Sequence, residues 1–335
     1  MAETSAIEWC DSTFNPWMGC TRVSPACDDC YAARSTPART LGVTWGPGES
    51  RCRTSAANWK QPEQWQRQGA EFRAEHGRRR RVFCASLADV FDNEVPPIWR
   101  ADLFALIKAT PDLDWLLLTK RVGNAWKMMA DACGVSQASL TLPLHNVWLG
   151  ATVVNQEEAD RDVPKLLRVP ARVRFLSVEP MLGPIDLAHL DVSVPAPPGM
   201  TAINRGVELD ALRGRSITDL GIEFQHKRRI DWVIAGGESG PKARPMHPDW
   251  ARSLRDQCAA AKVPFLFKQI GEWASPGDRA FGTVKGEVRH IDSAGQFLDP
   301  PPADENADCL TVVRVGKKAA GRLLAGRTHD EFPTA

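Results

Sequence analysis

Short apolar runs alternate with amphipathic stretches along this chain. The runs Ile7–Cys10, Val82–Ser86, Trp115–Thr119, Val147–Thr152, Val173–Val178, Trp232–Ala235 and Phe265–Lys268 predict seven strands. Several are apolar at nearly every position, as parallel strands covered on both faces are. Between them, Ser55–Ala74, Pro97–Ala109, Asn124–Cys133, Gln156–Leu167 and Pro248–Ala261 read as helices. Pro97 and Pro248 stand where a first helical turn accepts proline. This alternation predicts βαβ units around a parallel sheet. The expected fold is α/β: a full or partial parallel β/α barrel, TIM-like, over 1–275, with an open doubly wound sheet as the alternative. The alternation breaks at about 186–229, which contains Pro195-Ala196-Pro197-Pro198-Gly199 and reads as an insertion or lid. Residues 276–335 are expected to form an irregular extension and a basic C-terminal tail, with a late strand at Leu310–Val315 and a short helix at Lys317–Leu324.

Each apolar run finishes in polar residues: Ser86 and Asp89; Thr119, Lys120 and Arg121; Thr152; Ser177 and Glu179; Glu238 and Ser239; Lys268 and Gln269. In a parallel barrel such positions gather at the C-terminal mouth, where catalytic groups sit. Glu179, Glu238, Lys120 and Arg121 are therefore candidate catalytic residues. Ser86, Thr119, Thr152, Ser177, Gly236, Gly237 and Lys268 are candidate cofactor contacts. Gly236-Gly237 also fits a plain turn, and Glu179-Pro180 a plain strand end.

The segment Cys20-Thr-Arg-Val-Ser-Pro-Ala-Cys27-Asp-Asp-Cys30 follows the first expected strand. Gly19, Pro16 and Pro25 favour a turning loop, which leaves three thiolates free to converge on a metal. Three thiolates around a 4Fe-4S cluster leave one iron open to a substrate or cosubstrate. The alternative is a structural zinc site with Cys10, Cys52, Cys84 or a histidine as fourth ligand. The N-terminus has no basic start followed by an apolar run, so a cytoplasmic enzyme is expected, where clustered cysteines mean metal or redox chemistry more than disulfides. No uninterrupted apolar stretch of roughly eighteen residues occurs, so no membrane partner is expected. The net charge of +1 is neutral on nucleic acid. Arg78–Arg81, Lys227-Arg228-Arg229 and the tail residues Arg314, Lys317, Lys318, Arg322 and Arg327 are local basic runs, which are solvated faces or sites for an anionic partner. Trp59-Lys60 and Trp126-Lys127 could stack bases or fill helix cores.

Asn15-Pro16-Trp17…Gly19-Cys20, Cys27-x2-Cys30-Tyr31-Ala32, Ser177-Val-Glu179-Pro180, Gly236-Gly237-Glu238-Ser239-Gly240 and Arg314-Val-Gly-Lys-Lys-Ala-Ala-Gly-Arg span nearly the whole chain. Together they resemble a phage-associated three-Cys-motif family. A Cys loop after the first strand of a parallel barrel also resembles the radical S-adenosylmethionine enzymes. That resemblance implies a 4Fe-4S cluster on Cys20, Cys27 and Cys30, with S-adenosylmethionine chelating the fourth iron. It further implies an external electron donor and reductive cleavage to a 5′-deoxyadenosyl radical. Six residues separate Cys20 from Cys27, where that superfamily commonly has three, and Gly-Gly-Glu follows the sixth expected strand rather than the second. The function expected is modification or repair of DNA, another nucleic acid or a nucleotide. The alternative is a zinc-stabilised nucleic-acid-binding or adaptor protein without radical chemistry.

Overall fold

The computed structural model describes residues 4–35, 39–138, 144–192, 206–275, 286–304 and 307–334. Seven strands, β1 (Ser12–Phe14), β2 (Arg80–Cys84), β3 (Leu113–Thr119), β4 (Val147–Thr152), β5 (Val173–Val178), β6 (Trp232–Gly236) and β7 (Phe265–Gln269), are hydrogen-bonded in that order in one sheet. The pairs β1–β2, β2–β3, β3–β4 and β6–β7 are parallel. The class is α/β with a large parallel sheet. A doubly wound sheet reverses strand order at its switch point; the order here runs from β1 to β7 without reversal. Helices α1 (Pro97–Ala109), α2 (Val122–Cys133), α3 (Gln156–Arg168) and α4 (Pro248–Ala261) fall between the later strands. Among the described residues, no helix is long and apolar enough to cross a membrane.

The first strand lies elsewhere than the apolar count placed it. Ile7–Cys10 forms a turn, with Cys10 N donating to Ile7 O at 3.2 Å. Its apolar side chains serve packing: the Trp9 ring lies 4.4 Å from Phe83 and 6.2 Å from Phe175. The strand is Ser12–Phe14, two polar residues and one apolar, all buried. The expected helix at Ser55–Ala74 is three short ones, Ala56–Trp59, Gln61–Arg67 and Gly69–His76. Pro62 restarts the helix because it lacks an N–H to continue the preceding one. Gly69 permits the chain to pass Asp112, whose Cβ would stand 2.8 Å from an added Cβ.

Chain contacts divide the protein into two units, 1–152 with 165–175, and 153–164 with 176–334. In the first unit α1 ends where Asn146 Nδ2 donates to Ile107 O and Thr110 O, each at 3.0 Å, satisfying carbonyls that a helix end leaves open. α2 stops at Gly134, whose φ of 66° is left-handed. In the second unit, Leu190–Asp191, Val207–Asp210, Arg215–Thr218 and Glu223–Gln225 pair as a four-stranded antiparallel sheet. The stretch read as an insertion or lid is thus partly regular structure, built from strands too short to show periodicity. Its proline-rich part, 193–205, lies outside the described residues.

The expected basic tail is woven into the second unit. Leu310–Arg314 pairs with Trp273–Ala274 and Val288–Ile291. The helix covers only Lys317–Ala320, since Gly321 ends it. Beyond it, Asp330 bridges Leu266, Phe267 N donates to His329 O at 2.9 Å and Trp232 Nε1 to Glu331 O at 2.8 Å. The segment therefore covers the edge strand β7, whose unpaired backbone would otherwise face water.

Gly150 in β4 lies under the Phe175 ring, where an added Cβ would come within 2.4 Å. Gly150→Ala is expected to cost ~1–3 kcal/mol by overpacking. Denaturant melts of this variant and of Gly150→Ala with Phe175→Leu check it: the second change should recover part of the loss.

Candidate functional site

In the first unit, the loop after β1 is fastened before its first cysteine. Asn15 Oδ1 accepts from Leu87 N at 2.7 Å, and Asn15 Nδ2 donates to Ser86 Oγ at 3.0 Å. Thr54 Oγ1 and Asn58 Nδ2 both donate to Asn15 O. Asn15 and Ser86 thus hold two strand ends together, which gives Ser86 a structural use. Gly19, at φ 101°, donates its N–H to Leu87 O at 3.2 Å and passes Arg51 and Val43 at 3.1 and 3.3 Å from where a Cβ would be. Only glycine fits both demands.

Cys20 follows at once and meets a charged network. Arg121 Nη1 donates to Cys20 Sγ at 3.3 Å and to Asp89 Oδ2 at 3.2 Å, while Nη2 donates to Thr21 O. Asp89 also accepts from Thr119 Oγ1 at 2.8 Å and Lys120 N at 3.0 Å. Asp92 accepts from Arg51 Nε at 2.8 Å, and Arg51 is paired with Glu94 as well. The Arg51 side chain is 0% exposed and that of Asp92 2%, so these charges must match one another. Burial first, then the Asp89 carboxylate, push the Cys20 thiol up to about 11, with Arg121 pulling the other way. A thiol held protonated is a poor nucleophile, so Cys20 is poorly suited to thiol catalysis.

Cys27 ends a short 3-10 turn, Pro25–Cys27, and Cys30 follows three residues later. Ser24 Oγ accepts from Ala26 N at 3.1 Å, and Cys30 N donates to Cys27 O at 3.3 Å. Asp28 is paired with Arg22 and Asp29 with Arg34. Tyr31 OH donates to Ser86 O at 2.9 Å, and Cys30 packs against Met18, Ala32 and Leu87. All three thiols are free and half-buried. Among the described residues, no group of three or more His, Cys, Asp or Glu is gathered to hold a metal ion. The loop carries three thiols of the kind that ligate metals, but the structure does not gather them, and Cys20 Sγ is already bonded to Arg121 and Thr21 O. Of the other sulfurs, Cys84 is wholly buried and pushed upward by burial, and Cys10 donates to Ser5 Oγ. Cys52 pairs with Met18 across a two-residue antiparallel ladder.

The second unit holds the other candidates. Glu179 Oε1 accepts from Lys268 Nζ at 2.7 Å and Gln269 Nε2 at 3.2 Å. Gln269 Nε2 also donates to Gly237 O at 3.1 Å, while its Oε1 is buried without a hydrogen-bond partner. Glu238 takes Arg244 in a fork, Oε2 accepting from Nε at 2.9 Å and Oε1 from Nη2 at 2.8 Å, and Oε2 accepts from Arg244 N too. Both Glu238 oxygens are therefore engaged in holding the 238–244 loop. Glu272 Oε1 accepts from Gly240 N at 3.0 Å, and Arg314 Nη2 donates to Gly240 O at 2.8 Å. Gly237 is required by contact: an added Cβ would stand 1.9 Å from Ile270 O. Ser177 is buried at the end of β5, and Thr152, in the first unit, at the end of β4.

The structure thus joins Thr119, Lys120 and Arg121 with Cys20 through Asp89, and Glu179 with Lys268 and Gly237 through Gln269. Arg51, Asp92 and Arg244 were missed as site residues. Asp89, Asp92 and Glu94 do form a close acidic spacing in the sequence, but nothing local marks the distant arginines that meet them.

The Arg78–Arg81 run is spent within the first unit. Arg78 forks onto Asp11 at 2.6 and 2.8 Å, and Arg79 pairs with Asp114 at 3.6 Å. Arg80 lies 4.5 Å from the Phe72 ring and Arg81 5.5 Å from Trp148. Trp59 stands edge-on to Phe14, and Trp126 Nε1 donates to Gln137 O.

Two stability measurements follow. Arg51→Met should cost ~3–5 kcal/mol, because the buried Asp92 loses its close partner and keeps only Arg121 at 3.9 Å; adding Asp92→Asn should return part of it in denaturant melts. Gly237→Ala should lower the melting temperature well below that of Gly236→Ala, whose added Cβ has 3.4 Å to Gln269 O.

No curated protein and no solved structure matches the chain. One family spans residues 4–333, almost its whole length, and the chain belongs to that family, described as "Protein of unknown function (DUF5131)".

Proposed function

We propose that the chain is an iron–sulfur enzyme of the radical S-adenosylmethionine kind, built on a partial β/α barrel and acting on a nucleic acid or nucleotide. The observation that carries this is Cys20. It is the first of three free thiols on the loop after β1, and its sulfur receives an N–H from the end of β3. The unreversed order of seven strands supports the barrel part of the reading.

In this reading Cys20, Cys27 and Cys30 hold a 4Fe-4S cluster. Such a cluster, reduced by an external donor, supplies one electron and an open iron for S-adenosylmethionine. The chain's own residues bind and orient. Cys20 is fixed by Gly19, Arg121 and the backbone of Thr21. Cys27 ends the 3-10 turn and Cys30 follows it, and these two would supply the other thiolates. Cys20 must lose its proton to ligate, so loading releases protons. The candidate groups for cosubstrate or substrate are, each unit taken by itself, Lys120 and Thr152 in the first and Glu179, Ser177 and Lys268 in the second. The nucleic-acid part draws on Lys227 and Arg229, exposed basic residues beside the antiparallel sheet, since Arg78–Arg81 is already paired.

The zinc reading keeps one specific support. Cys52 pairs with Met18, two residues from Cys20, which supports it as the candidate fourth ligand in that reading.

Metal counting separates the two. Anaerobic purification should give a brown protein absorbing at about 400 nm with about four iron and four sulfide per chain. Replacing Cys20, Cys27 and Cys30 by alanine should abolish both. With dithionite and S-adenosylmethionine, the loaded protein should release 5′-deoxyadenosine or methionine. A colourless protein with about one zinc per chain would establish the zinc reading instead.

A further inference from the structure

We propose that the segment 324–332, which lies along the outer edge of β7, is an acid-released strap with His329 as its sensor. Protonation of that ring frees the segment and leaves the parallel sheet intact.

The strap meets β7 along one line of contacts. Phe267 N donates to His329 O at 2.9 Å, Glu331 N to Phe265 O at 3.4 Å and Phe265 N to Glu331 Oε2 at 3.1 Å. Trp232 Nε1 donates to Glu331 O, and the Phe332 ring lies 5.1 Å from Trp232. Asp330 is paired with Arg322. At the centre of this line His329 is 3% exposed and stands edge-on to Phe265, with ring centroids 5.8 Å apart.

The docked ring is built for its neutral state. A tight hairpin precedes it, closed by Leu324 N to Arg327 O at 2.9 Å and Arg327 N to Leu324 O at 3.3 Å, with Ala325 and Gly326 left-handed at φ 50° and 80°. That turn brings Arg327 back to the imidazole, where its Nε–H donates to His329 Nε2 at 3.4 Å. The ring also bonds the Leu324 backbone, so its one proton sits on Nδ1 and Nε2 keeps a lone pair. A second proton would have to enter at Nε2, against the Arg327 N–H, on a ring closed to water. The charged groups facing the ring are Arg327 and Glu331 of the strap and Arg255 of α4, while β7 presents the Phe265 ring.

The sign of the pH dependence follows. Burial first, then Arg327, hold the imidazole below its ordinary value; Arg255 adds to this, and the Leu324 backbone and Glu331 oppose it. A free histidine protonates at about 6.5. The advantage of the docked strap is whole above that pH and is lost as the pH falls through the lower docked value, because the released ring takes up a proton that the docked ring refuses.

The test is amide hydrogen exchange on the full chain at about pH 7.5 and about pH 5.5, each rate being divided by the intrinsic rate at that pH. Protection at the Phe267 and Glu331 amides should fall several-fold at the lower pH, while protection at Val233 and Ile234 in β6 holds. In His329→Gln, a neutral side chain that still offers Arg327 an acceptor, the fall should vanish; in Arg327→Gln it should shrink. Equal protection at both pH values in the parent chain would overturn the proposal. So would an undiminished fall in His329→Gln, or a loss reaching β6 to the same extent, which is unfolding of the sheet and not release of the strap. If His329→Gln leaves the strap undocked at both pH values, Arg327→Gln decides: an undiminished fall there overturns the proposal, and a smaller one supports it.

Discussion

A strand buried along its whole length can carry no unmatched charge, so polar chemistry in such a sheet is confined to where strands stop. β4, β5 and β6 are buried at every position. Their backbone groups are consumed in the ladder, and their side chains pack. Charge gathers near the strand ends, where it is still largely enclosed: Arg174, at the start of β5, donates to Val169 O. Arg51, Asp92, Asp89 and Arg121 show the result. Each buried cation sits against a carboxylate, and the carboxylates are fixed by neighbouring N–H groups before they meet it. The loop bearing Cys20 is fastened to this frame by Gly19 and Thr21.

The same constraint reinterprets the chain's basic residues. A run such as Arg78–Arg81 looks like a surface for an anionic partner. In the fold, strand β2 starts inside that run, and its four arginines find Asp11, Asp114, Phe72 and Trp148. Burial draws Arg81 down to about 10, with Arg78 adding to the effect. Tryptophan has a related role: Trp17, Trp65, Trp115, Trp148, Trp232 and Trp273 are among the largest fully buried side chains. The indoles are core, and guanidinium groups stack on some of them.

Much of the sheet was legible because parallel strands announce themselves as apolar runs. Val147–Thr152 and Val173–Val178 have the bounds the pattern predicts, as do helices Pro97–Ala109 and Pro248–Ala261. The failures share a cause. Ser12–Phe14 is a strand by pairing, while Ile7–Cys10 is apolar for packing, and hydrophobicity alone cannot tell these uses apart. The short antiparallel strands between 190 and 225 alternate over too few residues to register. In the site, the Cys loop and Asp89 were visible as local motifs. Arg51 and Arg244 were not, because an ion pair across many residues leaves no trace in either neighbourhood. Glu238 was visible, but its engagement with Arg244 was not.

Tyr31 carries one more implication. Its hydroxyl spans from the cysteine turn to Ser86 O, and the residue is 60% exposed. It is also the chain's one tyrosine. A fluorine placed on tyrosine rings throughout the protein would therefore yield a single resonance, located one residue from Cys30. The molecule carries its own reporter for whether the turn is docked or displaced, readable without touching a cysteine.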